Sequence, residues 1–296
     1  MLNDMIMKKI YAFVLVVVLA SSAFITGCKK DTTIAIDEPI DYLSVKKGKW
    51  NGLDSLTDSL FKNYGVRVFY EFNPRIIDPT TFYVPAQYEK AKFYTKNVIE
   101  RLWLEPLKKN FPKFLNDQKP VEFLILGTYV HFNSISSGLA AGAGLNGQFY
   151  RLGMGGADVL PATKASVRDH MNTLYHEHAH QLDQKFGRGY AYDRVSQGTY
   201  YQLNYLRKPD GTARTNTDAQ NDGFFTPYGG FAPEEDFATT VESLIRYSRA
   251  QIQTIIARNP KLVTKYQMVY KFYLDKGIDL HQMHDILDQV ASTLPL

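Results

Sequence analysis

The sequence is poor in cysteine: Cys28 is the only one among 296 residues. A disulfide within the chain is therefore excluded. Lysine and arginine outnumber aspartate and glutamate by only four, and no long basic run occurs, so nothing in the composition supports nucleic-acid binding. Histidine is scarce as well, with seven residues, yet three of them lie between positions 176 and 180. This concentration of histidine needs an explanation.

Residues 1–27 have the layout of a secretory signal peptide. Lys8 and Lys9 precede an apolar run, and small residues lie directly before Cys28. A basic region, an apolar region and a cleavage site in this order are typical of such signals. An uncleaved membrane anchor is the alternative, but two serines interrupt the apolar run and no second hydrophobic segment follows.

The last four residues of this region, Ile25-Thr26-Gly27-Cys28, resemble the lipobox of bacterial lipoproteins. The resemblance implies that Cys28 becomes the first residue of the mature protein and carries a lipid, which would consume its thiol and remove it as a metal ligand. Lysines rather than an aspartate follow Cys28, which by the same analogy implies an outer-membrane location in the cell envelope. Residues 28–44 are polar and are predicted to form a tether.

Residues 45–296 are predicted to form a single domain, because no linker or repeat interrupts them. Helices and strand patterns mix in the first half and helices fill the second half, which predicts an α+β fold. Helices are predicted at 53–65, 85–107, 163–186, 233–257, 260–275 and 278–293, and strands at 66–72, 121–132 and 147–155. The first long helix is expected to bend or end near Pro106.

A segment rich in serine, glycine and alanine, 133–148, contains a formal GxGxxG from Gly142 to Gly147. A nucleotide site would need a helix directly after this pattern, and the residues that follow have the character of a strand and a turn. The segment is therefore predicted to be a flexible loop and not a nucleotide site.

The histidine cluster, His176-Glu177-His178-Ala179-His180, contains the pattern HExxH. At about 100° per helical residue, His176 and His180 lie about 40° apart and one turn up, so both imidazoles reach one ion. Glu177 lies beside that face, close enough to take a proton from a water on the metal. His178 points away and is predicted to pack or to form a hydrogen bond instead.

A catalytic zinc ion usually takes three protein ligands and leaves one position for water. The longer pattern HExxHxxGxxH is not present, because Asp183 and Phe186 occupy its glycine and its third histidine. No glutamate occurs between 181 and 233. The candidates for the third ligand are therefore Glu234, Glu235 and Glu242, with Asp222 as a further alternative.

The segment YGGFAPEEDFA, 228–238, resembles the zinc-binding segment of lethal-factor-type gluzincin proteases. In that family a tyrosine precedes the ligand glutamate by seven positions, as Tyr228 precedes Glu235 here. The resemblance implies that Glu235 is the third ligand and that the Tyr228 hydroxyl stabilises the oxyanion. Thr239 stands where the family often has an acidic residue, which departs from the pattern. Glu242, two turns after Glu235, is then a candidate partner for a ligand histidine.

The lipobox, the HExxH pattern and this segment together resemble zinc metallopeptidase lipoproteins associated with TonB-dependent nutrient import, over 43–293. That resemblance implies a zincin-like fold with a small mixed sheet and an active-site helix, and a TonB-dependent transporter as a partner. The predicted activity is hydrolysis of peptide bonds by a zinc-activated water with Glu177 as general base. The strand at 147–155 is expected to pair with an extended peptide substrate.

Two alternative functions stay open at this point. The chain could be a non-catalytic, zinc-containing binding lipoprotein that serves an outer-membrane nutrient transporter, or a zinc hydrolase of a non-peptide amide. The other histidines offer no rival site. His281 and His284 form an HxxH without a neighbouring cysteine or glutamate, and together with His131 and His170 they are predicted to be surface or core residues.

Overall fold

The computed structural model describes residues 50–71, 81–132, 139–140, 142–144 and 150–296. The predicted signal peptide, the lipidation site Cys28 and the tether lie outside these residues. All the described residues belong to one compact unit of the chain. Within the described part, no helix combines the length and the apolar character needed to cross a membrane.

The first helix, α1 (Gly52–Tyr64), is defined by its caps. The Asn51 side chain accepts hydrogen bonds from two N–H groups of the first turn, and Gly65 ends the helix in the left-handed region with φ 72°. Leu53 and Leu60 lie on its buried face. This confirms the predicted helix at 53–65.

The second predicted helix is longer and less regular than its sequence suggests. It comprises α2 (Tyr88–Tyr94), a π-helix (Thr95–Leu104) and α3 (Glu105–Asn110). Pro106 lies where the π-helix changes back to α-helix, and the helix ends at Asn110, four residues after this proline. The next helix is α4 (Pro112–Gln118).

Among the described residues, seven short strands form two sheets: β1 (Arg67–Phe69), β2 (Thr81–Phe82), β3 (Glu122–Ile125), β4 (Val130–Phe132), β5 (Leu139–Ala140), β6 (Gly142–Gly144) and β7 (Arg151–Met154). The larger sheet has the order β1-β3-β7-β6, in which β1, β3 and β7 are parallel and β6 is antiparallel to β7. The smaller sheet is antiparallel, with the order β2-β4-β5.

The strands predicted at 66–72 and 147–155 contain β1 and β7, but three other predictions for the sheet region need correction. The run 121–132 is not one strand, because it turns at Gly127 and contributes β3 and β4 to different sheets. A Cβ at Gly127 would lie 2.5 Å from Asp158 Oδ2 and 2.7 Å from a backbone oxygen, so the turn requires glycine. Within the segment 133–148, predicted to be a loop, the described residues form β5 and β6, and the other residues lie outside the described part of the chain. Finally, β7 lies between β3 and β6, so it has no free side for a peptide.

Helices make up the second half of the chain: α5 (Lys164–Phe186), α6 (Tyr190–Val195), α7 (Asn216–Asp222), α8 (Pro233–Arg246), α9 (Arg249–Ile256), α10 (Pro260–Asp275) and α11 (Leu280–Thr293). The helix predicted at 233–257 is two helices, because Ser248 caps the start of α9 and closes a capping box with Gln251. Short 3₁₀ helices occur at Gln202–Asn204 and Tyr228–Gly230.

Helix α5 is the central element of the domain. One side of it packs along α8 and α11, and another side lies against β6 and β7 of the larger sheet. Its buried residues Val167, Met171 and Leu174 belong to the same apolar core as Leu152 and Met154 of β7. The small mixed sheet, the central helix and the helical second half confirm the α+β prediction.

Candidate metal centre

The two outer histidines of the HExxH pattern lie one turn apart on α5. Thr163 starts this helix by accepting a hydrogen bond from the N–H of Ser166, and Gly187 ends it. The Nε2 atoms of His176 and His180 are 3.2 Å apart, and the rings meet edge to face with centroids 4.9 Å apart. Each imidazole therefore presents a nitrogen to the same point, as the spacing predicts.

Glu235, in the first turn of α8, brings a carboxylate to these nitrogens. Its Oε2 lies 3.1 Å from Nε2 of His176 and 3.3 Å from Nε2 of His180. Ligand atoms in a tetrahedral zinc site lie about 3.3–3.4 Å apart, given zinc–ligand distances of about 2.0–2.1 Å. The three side chains form a group able to hold a metal ion, and their spacing fits zinc.

The charges at this site are those of a metal centre. Burial raises the pKa of Glu235, but its hydrogen bonds to His176 and His180 outweigh burial and bring that pKa to about 2. Burial lowers the pKa of His176, but the hydrogen bonds to Glu235 and Glu242 raise it to about 10. The carboxylate is thus ionised at neutral pH, and a metal ion has to displace a proton from His176.

Glu242 orients His176 from the side away from Glu235. Its Oε2 lies 3.2 Å from His176 Nδ1, while its Oε1 accepts a hydrogen bond of 2.8 Å from Arg246. Burial raises the pKa of Glu242, and the bonds to His176 and Arg246 outweigh burial and lower it. A proton held on Nδ1 leaves the Nε2 lone pair free for a metal ion. Arg246, one helical turn after Glu242, was not singled out from the sequence.

Replacing Glu242 with glutamine is expected to weaken zinc binding about tenfold or more, because the negative charge that supports the His176 tautomer is lost. Competition with a chromophoric chelator measures the zinc dissociation constant directly. Glu234→Gln is the matched control, since it changes an exposed carboxylate on the same helix. A dissociation constant within twofold of wild type in Glu242→Gln would show that Glu242 does not support the metal ligand.

Glu177 is partly buried and lies between His176 and His180 along α5. Burial raises its pKa, and His176 and His180 partly oppose that rise. The carboxylates of Glu235 and Glu242 raise it further. All four charged groups of the centre therefore act on Glu177. Its raised pKa lies closer to the range in which a carboxylate both accepts and returns a proton.

Tyr228 forms the outer wall of the centre. Its ring stacks on His176 with a centroid distance of 5.9 Å and an interplanar angle of 21°. Burial raises the pKa of Tyr228 far above its usual value, and the charge of Glu235 raises it further. The hydroxyl therefore stays protonated and is available as a hydrogen-bond donor beside the metal ligands.

Comparison with known proteins agrees with this geometry. Residues 48–281 match the model of a family described as "Putative zinc-binding metallo-peptidase". The chain belongs to this family. The solved structure of a putative zinc-binding metallo-peptidase from Bacteroides caccae is 21% identical, and the match covers 84% of this chain and 97% of that one, with a TM-score of 0.59. That likeness shows a shared fold. A search of the curated proteins found no match.

Membership in a zinc-binding metallopeptidase family confirms the predicted cofactor, zinc. The side chains that the structure brings together for it are His176, His180 and Glu235. The roles assigned to these three as ligands, to Glu177 as base and to Tyr228 as oxyanion donor stay predictions.

In this member of the family, His178 lies on the opposite side of α5 from the candidate metal centre. Its Nε2 is 2.8 Å from the Gln118 carbonyl oxygen, and its ring meets Trp103 and Phe114 edge to face. Burial lowers its pKa to about 4. It is a neutral core residue that packs and forms a hydrogen bond, as the helical geometry predicts.

The rival carboxylates for the third ligand lie elsewhere. Glu234 is half exposed and its nearest charged partner is Arg188, at 4.0 Å. Asp222 accepts hydrogen bonds from Tyr201 and Arg214, at 2.6 and 3.1 Å. Neither belongs to the group that can hold a metal ion.

The remaining histidines have partners of their own. His281 lies 3.1 Å from the Tyr266 hydroxyl, and His284 lies 2.8 Å from the Ile245 carbonyl oxygen and 3.2 Å from Arg168. His170 lies 2.5 Å from the Tyr94 hydroxyl, and burial lowers its pKa to about 4. His131 is in β4.

Proposed function

We propose that this chain is a lipid-anchored zinc metallopeptidase that hydrolyses peptide bonds, with His176, His180 and Glu235 as zinc ligands and Glu177 as general base. The observation that carries the proposal is the position of Glu177 beside three converging ligand atoms. A purely structural zinc site has no need for an ionisable carboxylate at that position. Zinc bound there would lower the pKa of a water and polarise the substrate carbonyl.

In the proposed reaction, Glu177 accepts a proton as the water oxygen attacks the carbonyl carbon. The carbon–nitrogen bond then breaks, and Glu177 returns the proton to the leaving amine. The Tyr228 hydroxyl donates a hydrogen bond to the oxygen that becomes negatively charged. Its raised pKa supports this role, because the donor proton is retained through the pH range in which Glu177 acts.

The substrate is proposed to lie along β6. This strand ends the larger sheet, pairs on one side with β7 and packs near α5, the helix of the metal ligands. No strand of the described residues pairs with the other side of β6, and an extended peptide added there would continue the sheet next to the metal centre. Strand β6 thus replaces the predicted strand at 147–155 as the element proposed to bind the substrate.

Anchoring and location are part of the same proposal. The lipobox-like residues 25–28 support lipidation at Cys28, and the lysines that follow support an outer-membrane location in the cell envelope. Such a protein would have peptides or proteins as substrates and could act beside a TonB-dependent transporter. Metabolic labelling with an alkyne fatty acid tests the anchor, with Cys28→Ser expected to abolish the label.

Zinc-dependent cleavage of a mixed peptide library by the purified protein tests the proposed activity. Cleavage is expected, a chelator is expected to stop it, and added zinc is expected to restore it. Mass spectrometry of the products identifies the bonds that are cut. Stoichiometric zinc without cleavage of any peptide would contradict the proposal and would favour a zinc-containing binding protein or a hydrolase of a different amide.

A further inference from the structure

The segment 199–214 lies directly against the outer wall of the metal centre. The Tyr201 N–H donates a 2.7 Å hydrogen bond to the Gly230 carbonyl oxygen. A Cβ at Gly230 would come within 2.2 Å of the Tyr201 ring, so this contact depends on glycine. Tyr205 packs on Tyr228 and on Phe231, with centroid distances of 5.3 and 5.7 Å. The segment thus continues an aromatic surface that begins at the metal ligand itself.

Arg214 fixes this segment in place. Its guanidinium group lies 3.5 Å from the centroid of the Tyr201 ring and pairs with Asp222 at 3.1 Å. The Arg214 N–H donates to the Leu206 carbonyl oxygen at 2.9 Å, which closes a short hairpin. The Tyr201 hydroxyl donates to the same carboxylate of Asp222 at 2.6 Å. The segment is therefore an ordered platform held at both of its ends.

The platform displays two leucines to solvent, one on either side of Tyr205 in the sequence. Leu203 is 85% exposed and Leu206 is 61% exposed. Gln202, directly before Leu203, has φ 53°, a left-handed conformation that residues other than glycine seldom adopt and that is often found at functional sites. Apolar surface displayed on an ordered and locally strained platform indicates a binding role.

Resting on the proposed peptidase function, we propose that Leu203, Tyr205 and Leu206 form a subsite for a bulky apolar side chain of the substrate. The platform is continuous with the metal centre: the ring of Tyr228 lies 5.9 Å from that of His176 and 5.3 Å from that of Tyr205, measured between centroids. We therefore infer that the substrate of the metal centre also occupies the platform. These two steps span about three residues of an extended peptide. The subsite therefore selects leucine, phenylalanine or a similar residue within about three positions of the scissile bond.

The test compares the full chain with the double variant Leu203→Ser/Leu206→Ser on quenched fluorescent peptides. The peptides are matched and carry either leucine or serine at each position around one cleaved bond. The double variant is expected to lose about tenfold in kcat/KM for the leucine peptide and to stay within about twofold for the serine peptide. Zinc content is expected to be unchanged. Leu274→Ser, an exposed leucine on α10, is expected to keep the wild-type preference.

Retention of the wild-type preference by the double variant would overturn the subsite. If the wild-type chain cleaves no peptide, the proposed activity fails, and fluorescence anisotropy with the same peptides decides on the subsite separately. Tighter binding of the leucine peptide that is lost in the double variant supports it. Equal binding of the leucine peptide by the wild type and the double variant, or no binding by either, overturns it. Self-association of the wild type that is lost in the double variant also overturns it.

Discussion

Replacing Glu177 with glutamine is expected to lower kcat/KM for peptide cleavage by about 10²–10⁴-fold while zinc binding stays intact. Glutamine has nearly the same size as glutamate and keeps a hydrogen-bonding side chain, but it cannot accept a proton from water. Glu177 is not among the three side chains that converge on the metal position, so the zinc dissociation constant should stay within about threefold of wild type.

Two measurements on the same preparation make this result interpretable. Zinc content by atomic spectroscopy shows that the site is loaded, and kcat/KM on a cleaved peptide shows the loss. Glu234→Gln again serves as the control, because it alters a neighbouring exposed carboxylate and should retain full activity. Full activity in Glu177→Gln with zinc bound would refute the role of Glu177 as base.

Replacing Lys265 with methionine is expected to destabilise the fold by about 3–5 kcal/mol. The Lys265 ammonium group is fully buried, 2.6 Å from Asp236 Oδ2 and 2.7 Å from the Gly223 carbonyl oxygen. It also lies 4.1 Å from the centroid of the Phe224 ring. Without it, the equally buried Asp236 carboxylate keeps only the hydrogen bond from Tyr200, and an ionised carboxylate without a counter-charge is costly in a protein interior.

Urea denaturation at neutral pH measures this free energy of unfolding. Lys271→Met is the control, since its ion pair with Asp275 is exposed to solvent and its loss should cost less than about 0.5 kcal/mol. In Lys265→Met/Asp236→Leu both charges are removed together, and most of the lost stability should return. A cost below about 1 kcal/mol for Lys265→Met would show that the buried pair contributes little.

This buried pair also bears on the metal centre, because Asp236 follows Glu235 directly. Lys265 connects the first turn of α8 to the end of α7 through the Gly223 carbonyl. It therefore fixes the turn that carries Glu235, the proposed third ligand. Nothing in the sequence indicated the pair: Lys265 lies in a helix of mixed polarity, and its complete burial depends on how α8 and α10 pack.

The helix of the metal centre could be predicted because its determinants are local. The cap at Thr163, the stop at Gly187 and the four-residue spacing of His176 and His180 are all contained in one continuous stretch. Glu235 could be assigned only through a resemblance, since spacing alone left its neighbours open. It lies 59 residues from His176, and such a contact depends on the packing of two helices.

The strands were predicted less well, for a physical reason. Hydrophobicity predicted that 121–132 is one buried strand, but the turn at Gly127 depends on the close approach of Asp158 and of the backbone at Pro85. Pairing order is likewise a property of the whole sheet, so the interior position of β7 could not be deduced from its own residues. The contact of Tyr205 with Tyr228 is equally non-local, and this is why the platform beside the metal centre was missed.

Zinc titration of three purified proteins tests the assignment of the third ligand most directly: the wild type, Glu235→Gln and Glu234→Gln. The two glutamates are adjacent, so the substitutions are matched in chemistry and in helix position. The wild type and Glu234→Gln are expected to bind one zinc ion with the same affinity, whereas Glu235→Gln should bind it roughly a hundredfold more weakly or worse. Wild-type affinity in Glu235→Gln, or a loss confined to Glu234→Gln, would contradict the proposed centre.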